Sequence, residues 1–212
     1  MPDPIRVVVI TDRRLYGSEE IAGRIAAMLA TAPRGSVAIQ IREKDLDGGP
    51  LLRLVHEVIE VARPAGARVF VNDRLDVALT ADADGVHLPE HGLSIEDARA
   101  AAAAIGRKIA IGCSRHTPDA VKTAAKQGAE LVQFGPIWAT PGKGTPLGVE
   151  PLNIKKLRAH LVAVGGIDGP ARARQAALSG ADAVAVIRVA WQGVPDVIGK
   201  LVEAVDAGVR AR

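Results

Sequence analysis

The chain has 212 residues, which suits one large domain or two small ones, and 48% of them are hydrophobic, enough to bury a substantial core. Only 2% are aromatic and the net charge is +3, which argues against a nucleic-acid-binding protein but is compatible with small anionic substrates. The single cysteine, Cys113, excludes a disulfide framework and a cysteine-based zinc cluster. No apolar run reaches the roughly 18 residues of a membrane helix, and no signal-peptide core follows Met1, so we expect a cytoplasmic protein.

Short apolar runs rich in β-branched residues recur along the chain and predict eight strands. Their nearly continuous hydrophobicity is typical of parallel strands that are buried on both faces. The predicted strands are 7–11, 37–42, 69–72, 85–88, 109–112, 131–135, 161–165 and 183–187.

Helical patterns lie between most of these strands. Ser and Thr are favoured as N-caps, and Pro suits the first helical position, so such residues mark helix starts. The connection after Asn72 leaves room for only one or two helical turns. The signals for the helices are Ser18, the apolar spacing within 51–59, Ser94, Thr117-Pro118, Pro170 and Pro195.

Eight strands that alternate with helices, without a linker, predict an α/β fold: a single-domain TIM (β/α)8 barrel over residues 1–212. A doubly wound open sheet is the main alternative. Its glycine-rich dinucleotide-binding turn after the first strand is absent, because residues 11–14 read Thr-Asp-Arg-Arg. The active site of a TIM barrel lies at the carboxyl ends of the strands, so residues that follow each strand are candidate site residues.

Gln40, Arg42 and Lys44 alternate at the end of the second predicted strand and therefore share one face. They could form a solvated strand end. The alternative is an anion site, because Arg offers a planar fork to phosphate and Lys a mobile charge. Gln40 follows a buried run, and a buried amide needs hydrogen-bond partners.

Asp73 follows Asn72 directly at the end of the third predicted strand. An Asp in this position can cap a turn or the next helix. It can also bind Mg²⁺, which takes one or two protein carboxylates and completes its octahedron with water and substrate oxygens.

The segment 135–148 is long and rich in Gly and Pro. It could be a passive connection, but long loops in compact domains are usually functional, and as a lid it would supply Thr140 and Lys143. Gly165-Gly166 follows the seventh predicted strand. The pair could form a simple turn, but at this place in a barrel glycine lets backbone N–H groups approach a phosphate.

The segment 83–92 reads ADGVHLPEHG and contains three residues of metal-ligand type: His87, Glu90 and His91. His87 lies inside a buried strand, so we interpret it as a hydrogen-bonded residue of the barrel core. His91 follows a proline in a turn, and we expect it to be exposed.

Six segments in the same order resemble the thiamine phosphate synthase/TenI family and cover nearly the whole chain. They are QIREK at 40–44, VNDRLDVAL at 71–79, ADGVHLPE at 83–90, IGCSRHT at 111–117, FGPIWATPGKGTPLG at 134–148 and VAVGGI at 162–167.

The resemblance implies a TIM barrel and a transferase of thiamine biosynthesis that requires Mg²⁺. Such an enzyme joins hydroxymethylpyrimidine diphosphate to hydroxyethylthiazole phosphate and releases diphosphate. The carbon–oxygen bond breaks first, and the thiazole nitrogen then adds to the pyrimidine-stabilised cation. The resemblance implies that Arg42, Lys44 and Lys143 bind the diphosphate and act in catalysis, that Asn72 helps to anchor the diphosphate, and that Asp73 binds the metal. It implies that Gln40 and the catalytic Ser114 contact the pyrimidine. The thiazole phosphate would be bound by Thr140, Gly166 and the backbone at Ile187 and Arg188.

The chain departs from the family pattern at four places. Gly92 stands where the synthases usually have the second magnesium-binding aspartate, and Gly142 replaces a phosphate-binding threonine. Arg188 replaces a small residue and could strengthen anion binding or fill the pocket. Pro136 stands where the TenI branch is expected to have its tautomerase histidine.

These departures leave three functional hypotheses. The first is a synthase with an altered metal site, and the second is a TenI-like thiazole tautomerase. The third is a catalytically silent protein that binds thiazole phosphate or thiamine phosphate. In each case we expect small phosphorylated ligands as partners, neither nucleic acid nor membrane, and a possible homo-oligomer.

Overall fold

The computed structural model describes residues 4–15, 21–194 and 196–212. Parallel strands close into a barrel in chain order, with β8 hydrogen-bonded to β1. This closure confirms the predicted TIM barrel, and it excludes the open sheet because no strand edge is left free. The strands are β1 Val7–Ile10, β2 Val37–Ile41, β3 Arg68–Asn72, β4 Gly85–Leu88, β5 Ala110–Arg115, β6 Leu131–Phe134, β7 His160–Val164 and β8 Ala183–Val186.

The fifth strand is longer than predicted and changes the position of one candidate residue. It was expected to end at Gly112, but Ser114 and Arg115 continue the ladder by pairing with Gln133 and Phe134 of β6. Ser114 therefore lies within the strand and not beyond its end. Because Ser114 and Arg115 are polar, a prediction based on apolar runs could not include them in the strand.

The helices occupy most of the predicted intervals. The short connection after Asn72 holds a six-residue helix, as expected. Ser18 and Pro195, predicted as helix starts, lie outside the described residues. The helices are α1 Ile21–Leu29, α2 Gly48–Ala62, α3 Leu75–Thr80, α4 Ile95–Ala104, α5 Pro118–Lys126, α6 Pro170–Leu178, α7 Arg188–Gln192 and α8 Val197–Arg210.

Two predicted caps are confirmed by their hydrogen bonds. The Ser94 hydroxyl accepts from the backbone N–H of Asp97 at 3.0 Å, and the Thr117 hydroxyl accepts from that of Ala120 at 3.2 Å. Both bonds satisfy N–H groups that have no partner within the first helical turn. Between β6 and β7 the chain forms a loop and the short 3-10 helix Glu150–Leu152.

Apolar side chains form two layers, one inside the barrel and one between the barrel and the helices. Inside the barrel, Phe70 lies across β4, where a β-carbon on Gly85 would be only 2.2 Å from the Phe70 ring. Glycine at position 85 therefore makes room for the ring. Because side chains alternate along a strand, the residues two positions after Ala38, Phe70 and Leu131 also face the interior, nearer its carboxyl end.

Carboxylates bond the backbones of neighbouring strands at the opposite, amino-terminal end. Asp84 accepts from the backbone N–H of Val69 at 2.8 Å, and Asp182 accepts from that of Leu161 at 3.0 Å. Polar residues at this end of a TIM barrel serve stability rather than catalysis. None of the helices in the described ranges is long and apolar enough to cross a membrane.

Candidate active site at the carboxyl end of the barrel

Three buried amide side chains form a continuous chain across the barrel interior. Gln40 Nε2 donates to Asn72 Oδ1 at 3.1 Å, and Gln133 Nε2 donates to Gln40 Oε1 at 2.5 Å. Gln40 is 2% exposed, Asn72 is 9% exposed and Gln133 is 5% exposed. The bonds supply the partners that a buried amide requires, and they bring two predicted substrate-binding residues into direct contact.

His87 and Ser114 form a second buried pair on adjacent strands. His87 Nε2 lies 2.8 Å from Ser114 Oγ, which confirms that His87 is a hydrogen-bonded residue of the barrel core. Burial, and secondarily the charges of Arg115 and Arg42, lower the pKa of His87 to about 3. The imidazole is therefore neutral at physiological pH and holds the Ser114 hydroxyl in place.

Arg42 is fixed through its backbone by the loop after β1. Its N–H donates to the Thr11 hydroxyl at 2.9 Å, and that hydroxyl in turn bonds the Glu43 carboxylate. Glu43 is buried and also accepts from the backbone N–H of Arg13, while burial raises its pKa. Glu43 is thus held by Thr11 and Arg13 of the loop after β1.

A cavity of about 210 Å³ opens between the ends of β2 and β3. Its polar lining includes Glu43, Lys44, Asn72 and Asp73. Lys44 and Asp73 are exposed, so both can meet a ligand from solvent. The structure thus brings these two predicted site residues to a cavity that Asn72 also lines.

Asp73 has the left-handed backbone conformation, with φ of 64°. Asp tolerates this conformation better than most residues, and the Asp73 N–H is held by the His87 carbonyl at 2.9 Å. The described residues contain no cluster of three His, Cys, Asp or Glu side chains that could enclose a metal. An exposed single carboxylate beside a polar cavity suits Mg²⁺, which takes most of its ligands from water and substrate.

The β6–β7 loop packs against the glycine turn after β7. The Thr140 hydroxyl donates to the Trp138 carbonyl at 3.0 Å. A β-carbon on Gly166, whose φ is 69°, would lie 2.5 Å from the β-carbon of Trp138, so only glycine permits this approach. Thr140 and Gly166 are therefore brought to the same part of the barrel end.

Arg172 of α6 connects these two segments. Its Nη1 donates to the Gly166 carbonyl at 2.5 Å and pairs with Asp168 at 2.8 Å. Its guanidinium also lies 5.5 Å from the centre of the Trp138 ring, within the range of a cation–π interaction. One side chain thus fixes the base of the β6–β7 loop against the β7 turn.

Three predicted cations lie at this end of the barrel without being tied to the protein. Lys44, Lys143 and Arg188 are exposed, and within the described part of the chain none forms an ion pair. Ile187 precedes α7, which begins at Arg188 directly after β8. The structure therefore leaves these positive side chains available to an anion.

Glu90 and His116 form a contact that the sequence did not predict. Glu90 Oε2 lies 3.5 Å from His116 Nε2 and 4.0 Å from His91 Nε2. His116 Nδ1 bonds the carbonyl of Gly135, the residue before Pro136. His91 is exposed, as expected, and His87 is buried in the barrel core.

Sequence reasoning missed several residues that shape the site. Gln133 carried a usable signal, because an amide inside a predicted buried strand must find a partner. Glu43, Arg172 and His116 make contacts between segments that are distant in the chain, so spacing alone could not reveal them.

A second cavity, of about 460 Å³, lies elsewhere. It is lined by α4 and by the residues at the start of β5, including Arg99, Arg107 and Lys108. This is the amino-terminal end of the strand, away from the predicted site residues. Its size therefore does not make it the active site of a TIM barrel.

Amides, unpaired cations and the exposed Asp73 carboxylate at the carboxyl end of a closed barrel are typical of a TIM-barrel enzyme that acts on small phosphorylated molecules. The family model described as thiamine monophosphate synthase matches residues 7–190. The chain belongs to this family, which confirms the resemblance found in its motifs.

Individual relatives agree with the family match over most of their length. The thiamine-phosphate synthase of Roseiflexus castenholzii is 36% identical over 195 residues, covering 90% of this chain and 82% of the relative. That of Moorella thermoacetica is 36% identical over 192 residues and covers 88% of both chains. The structure of thiamine phosphate pyrophosphorylase from Pyrococcus furiosus superposes with a TM-score of 0.83, at 29% identity and 97% coverage of both chains.

Proposed function

We propose that this protein is a thiamine-phosphate synthase. In this reaction the enzyme couples hydroxymethylpyrimidine diphosphate with hydroxyethylthiazole phosphate and releases diphosphate. One observation carries the proposal. Asn72, whose side chain is bonded to buried Gln40, directly precedes exposed Asp73 in the chain, and Asn72, Asp73 and Lys44 line the same cavity. In this arrangement an amide can bind a heterocycle, while a cation and a carboxylate can bind a diphosphate and its metal ion.

The diphosphate subsite is assigned to the exits of β2 and β3. Arg42 and Lys44 would neutralise the departing diphosphate, and Asn72 would donate to one of its oxygens. Asp73 would hold Mg²⁺, which when bound supplies positive charge to the leaving group. Lys143, on the exposed loop, would approach the diphosphate from the other side.

The pyrimidine would lie above the buried amides, beside Ser114. Gln40 contributes an amide edge, and the Ser114 hydroxyl is held by neutral His87 at 2.8 Å. Catalysis here depends mainly on holding the two substrates in line while the carbon–oxygen bond breaks and the thiazole nitrogen adds.

The thiazole phosphate is assigned to the glycine turn after β7 and the start of α7. Gly166 adopts a φ of 69°, and Ile187 and Arg188 lie where backbone N–H groups at the end of β8 can meet a phosphate. Thr140 adds a hydroxyl from the neighbouring loop. The exposed Arg188 guanidinium would add charge where the family usually has a small residue.

The test is product formation by the purified full chain. Incubation with both substrates and Mg²⁺ should yield thiamine phosphate, detected by mass spectrometry, and omission of either substrate should abolish it. Folded protein that yields no thiamine phosphate would overturn the proposal. Ligand-dependent thermal stabilisation without turnover would then favour the non-catalytic binder.

A TenI-like tautomerase is the second candidate, because His116 lies next to Gly135, the residue before Pro136. His116 bonds the carbonyl of Gly135, and its other nitrogen faces Glu90 at 3.5 Å. A histidine paired with a carboxylate can transfer protons in an isomerisation. The non-aromatic thiazole carboxylate phosphate should then aromatise faster with wild-type protein than with His116→Gln or in buffer.

A further inference from the structure

The chain of amides formed by Gln133, Gln40 and Asn72 has a fixed direction. Each bond runs from an N–H to a carbonyl oxygen, from Gln133 to Gln40 and from Gln40 to Asn72. Rotation of the Gln40 amide alone by 180° would place two N–H groups face to face at Gln133 and two oxygens face to face at Asn72. Gln40 can therefore reverse only if both neighbours reverse with it.

The proposed diphosphate site determines which direction is chosen. A diphosphate only accepts hydrogen bonds, so it requires the NH₂ group of Asn72 and leaves the Asn72 oxygen to face Gln40. Gln40 must then donate to Asn72 and accept from Gln133, which is the arrangement observed. The remaining N–H of Gln40 and the second lone pair of its oxygen have fixed positions.

The direction matters because heterocycle edges are also directional. An aminopyrimidine presents an N–H donor beside a ring nitrogen that accepts, which matches one orientation of an amide. The analogue with a carbonyl in place of the amino group presents an acceptor beside a ring N–H. That analogue requires the reversed amide.

We propose that Gln133 is a specificity-determining positioning residue, which holds the Gln40 amide in the orientation that selects an aminopyrimidine over its oxo analogue. The inference rests on the proposed function, since the diphosphate and the pyrimidine are its substrate. Gln133 acts through Gln40 and through the direction of the hydrogen-bond chain.

The experiment measures binding of the amino and the oxo pyrimidine diphosphates by calorimetry, with the full chain and Mg²⁺. Wild-type protein should prefer the amino compound, and Gln133→Met, which keeps the length but removes the amide, should lower that preference. Loss of one of the two bonds that hold Gln40 predicts a decrease of about three- to tenfold in the ratio of dissociation constants. Gln127→Met, on an exposed glutamine after α5, is the matched control and should keep the wild-type ratio.

If Gln133→Met does not fold, Gln133→Asn replaces it, because asparagine is polar but too short to reach Gln40. An unchanged preference in a folded Gln133 variant would overturn the inference while leaving the proposed function intact, as would a wild-type protein that binds both compounds equally. Wild-type protein that binds neither compound would overturn the proposed function and this inference together.

Discussion

Gly92 lies directly beside Asp73: a β-carbon at position 92 would be 3.0 Å from the Oδ1 atom of Asp73. The position expected to carry a second magnesium-binding aspartate is therefore next to the carboxylate that is present. Gly92 does not have a left-handed backbone conformation, so a side chain is compatible with its φ. The same β-carbon would be 2.8 Å from Cγ of Pro89, and the turn must shift slightly to accept it.

We predict that Gly92→Asp lowers the Mg²⁺ concentration required for half-maximal synthase activity. The expected decrease is about fivefold, equivalent to about 1 kcal/mol for one added charge interaction near the surface. Gly92→Asn is the control, since it has the same size without the charge. A Mg²⁺ titration identical to wild type would show that the ion is held in another way.

Asp73→Asn should reduce activity without loss of stability. Asparagine tolerates the left-handed conformation that Asp73 adopts, so the backbone at φ 64° is retained while the metal-binding charge is lost. We expect kcat/KM to fall about 10- to 100-fold, with a melting temperature close to that of wild type. A melting temperature that collapses would instead make Asp73 a structural residue.

Arg42→Ala should also damage turnover more than folding. Its structural bond to Thr11 uses the backbone N–H, which the substitution keeps. Loss of a charged hydrogen bond to the diphosphate predicts a decrease of about 10- to 100-fold in kcat/KM. Arg53→Ala on the exposed face of α2 serves as the comparison and should leave the kinetics unchanged.

Burial of His87 predicts that the protein loses stability as the pH is lowered. Its pKa in the folded protein, about 3, lies below the ordinary value of 6.5, so between these values the unfolded chain binds the extra proton. The free energy of unfolding therefore falls as the pH is lowered from 6.5 toward 3, by at most about 1.4 kcal/mol per pH unit from this group.

Denaturant unfolding of wild type and His87→Gln at pH 7, 5 and 4 measures this contribution. The wild-type protein should lose more stability than the variant over this range, and a His56→Gln variant, changed at an exposed residue of α2, should behave as wild type. Parallel profiles for wild type and His87→Gln would contradict the assignment of a buried neutral imidazole.

Arg172 should control the environment of Trp138 and the thiazole phosphate site. Arg172→Ala removes the guanidinium that lies 5.5 Å from the Trp138 ring and bonds Gly166. We predict a shift in tryptophan emission and an increase of about threefold or more in KM for thiazole phosphate. Arg174→Ala, on the same helix but exposed, should change neither quantity.

The barrel itself could be predicted because buried parallel strands leave a strong signal in the sequence. The carboxyl-end rule then located Gln40, Asn72 and Asp73 correctly at one end. Ser114 lies inside β5, beyond the predicted apolar run, because polar residues continue this strand without apolar periodicity. Contacts such as Arg172 with Trp138, or Glu90 with His116, depend on how distant loops meet, which local spacing does not encode.

The measurement that tests the central claim most directly is the stoichiometry of the reaction catalysed by the wild-type chain. With hydroxymethylpyrimidine diphosphate, hydroxyethylthiazole phosphate and Mg²⁺, we predict one diphosphate released for each thiamine phosphate formed. Folded protein that releases no diphosphate and forms no thiamine phosphate would contradict the assignment of this barrel end as a synthase active site.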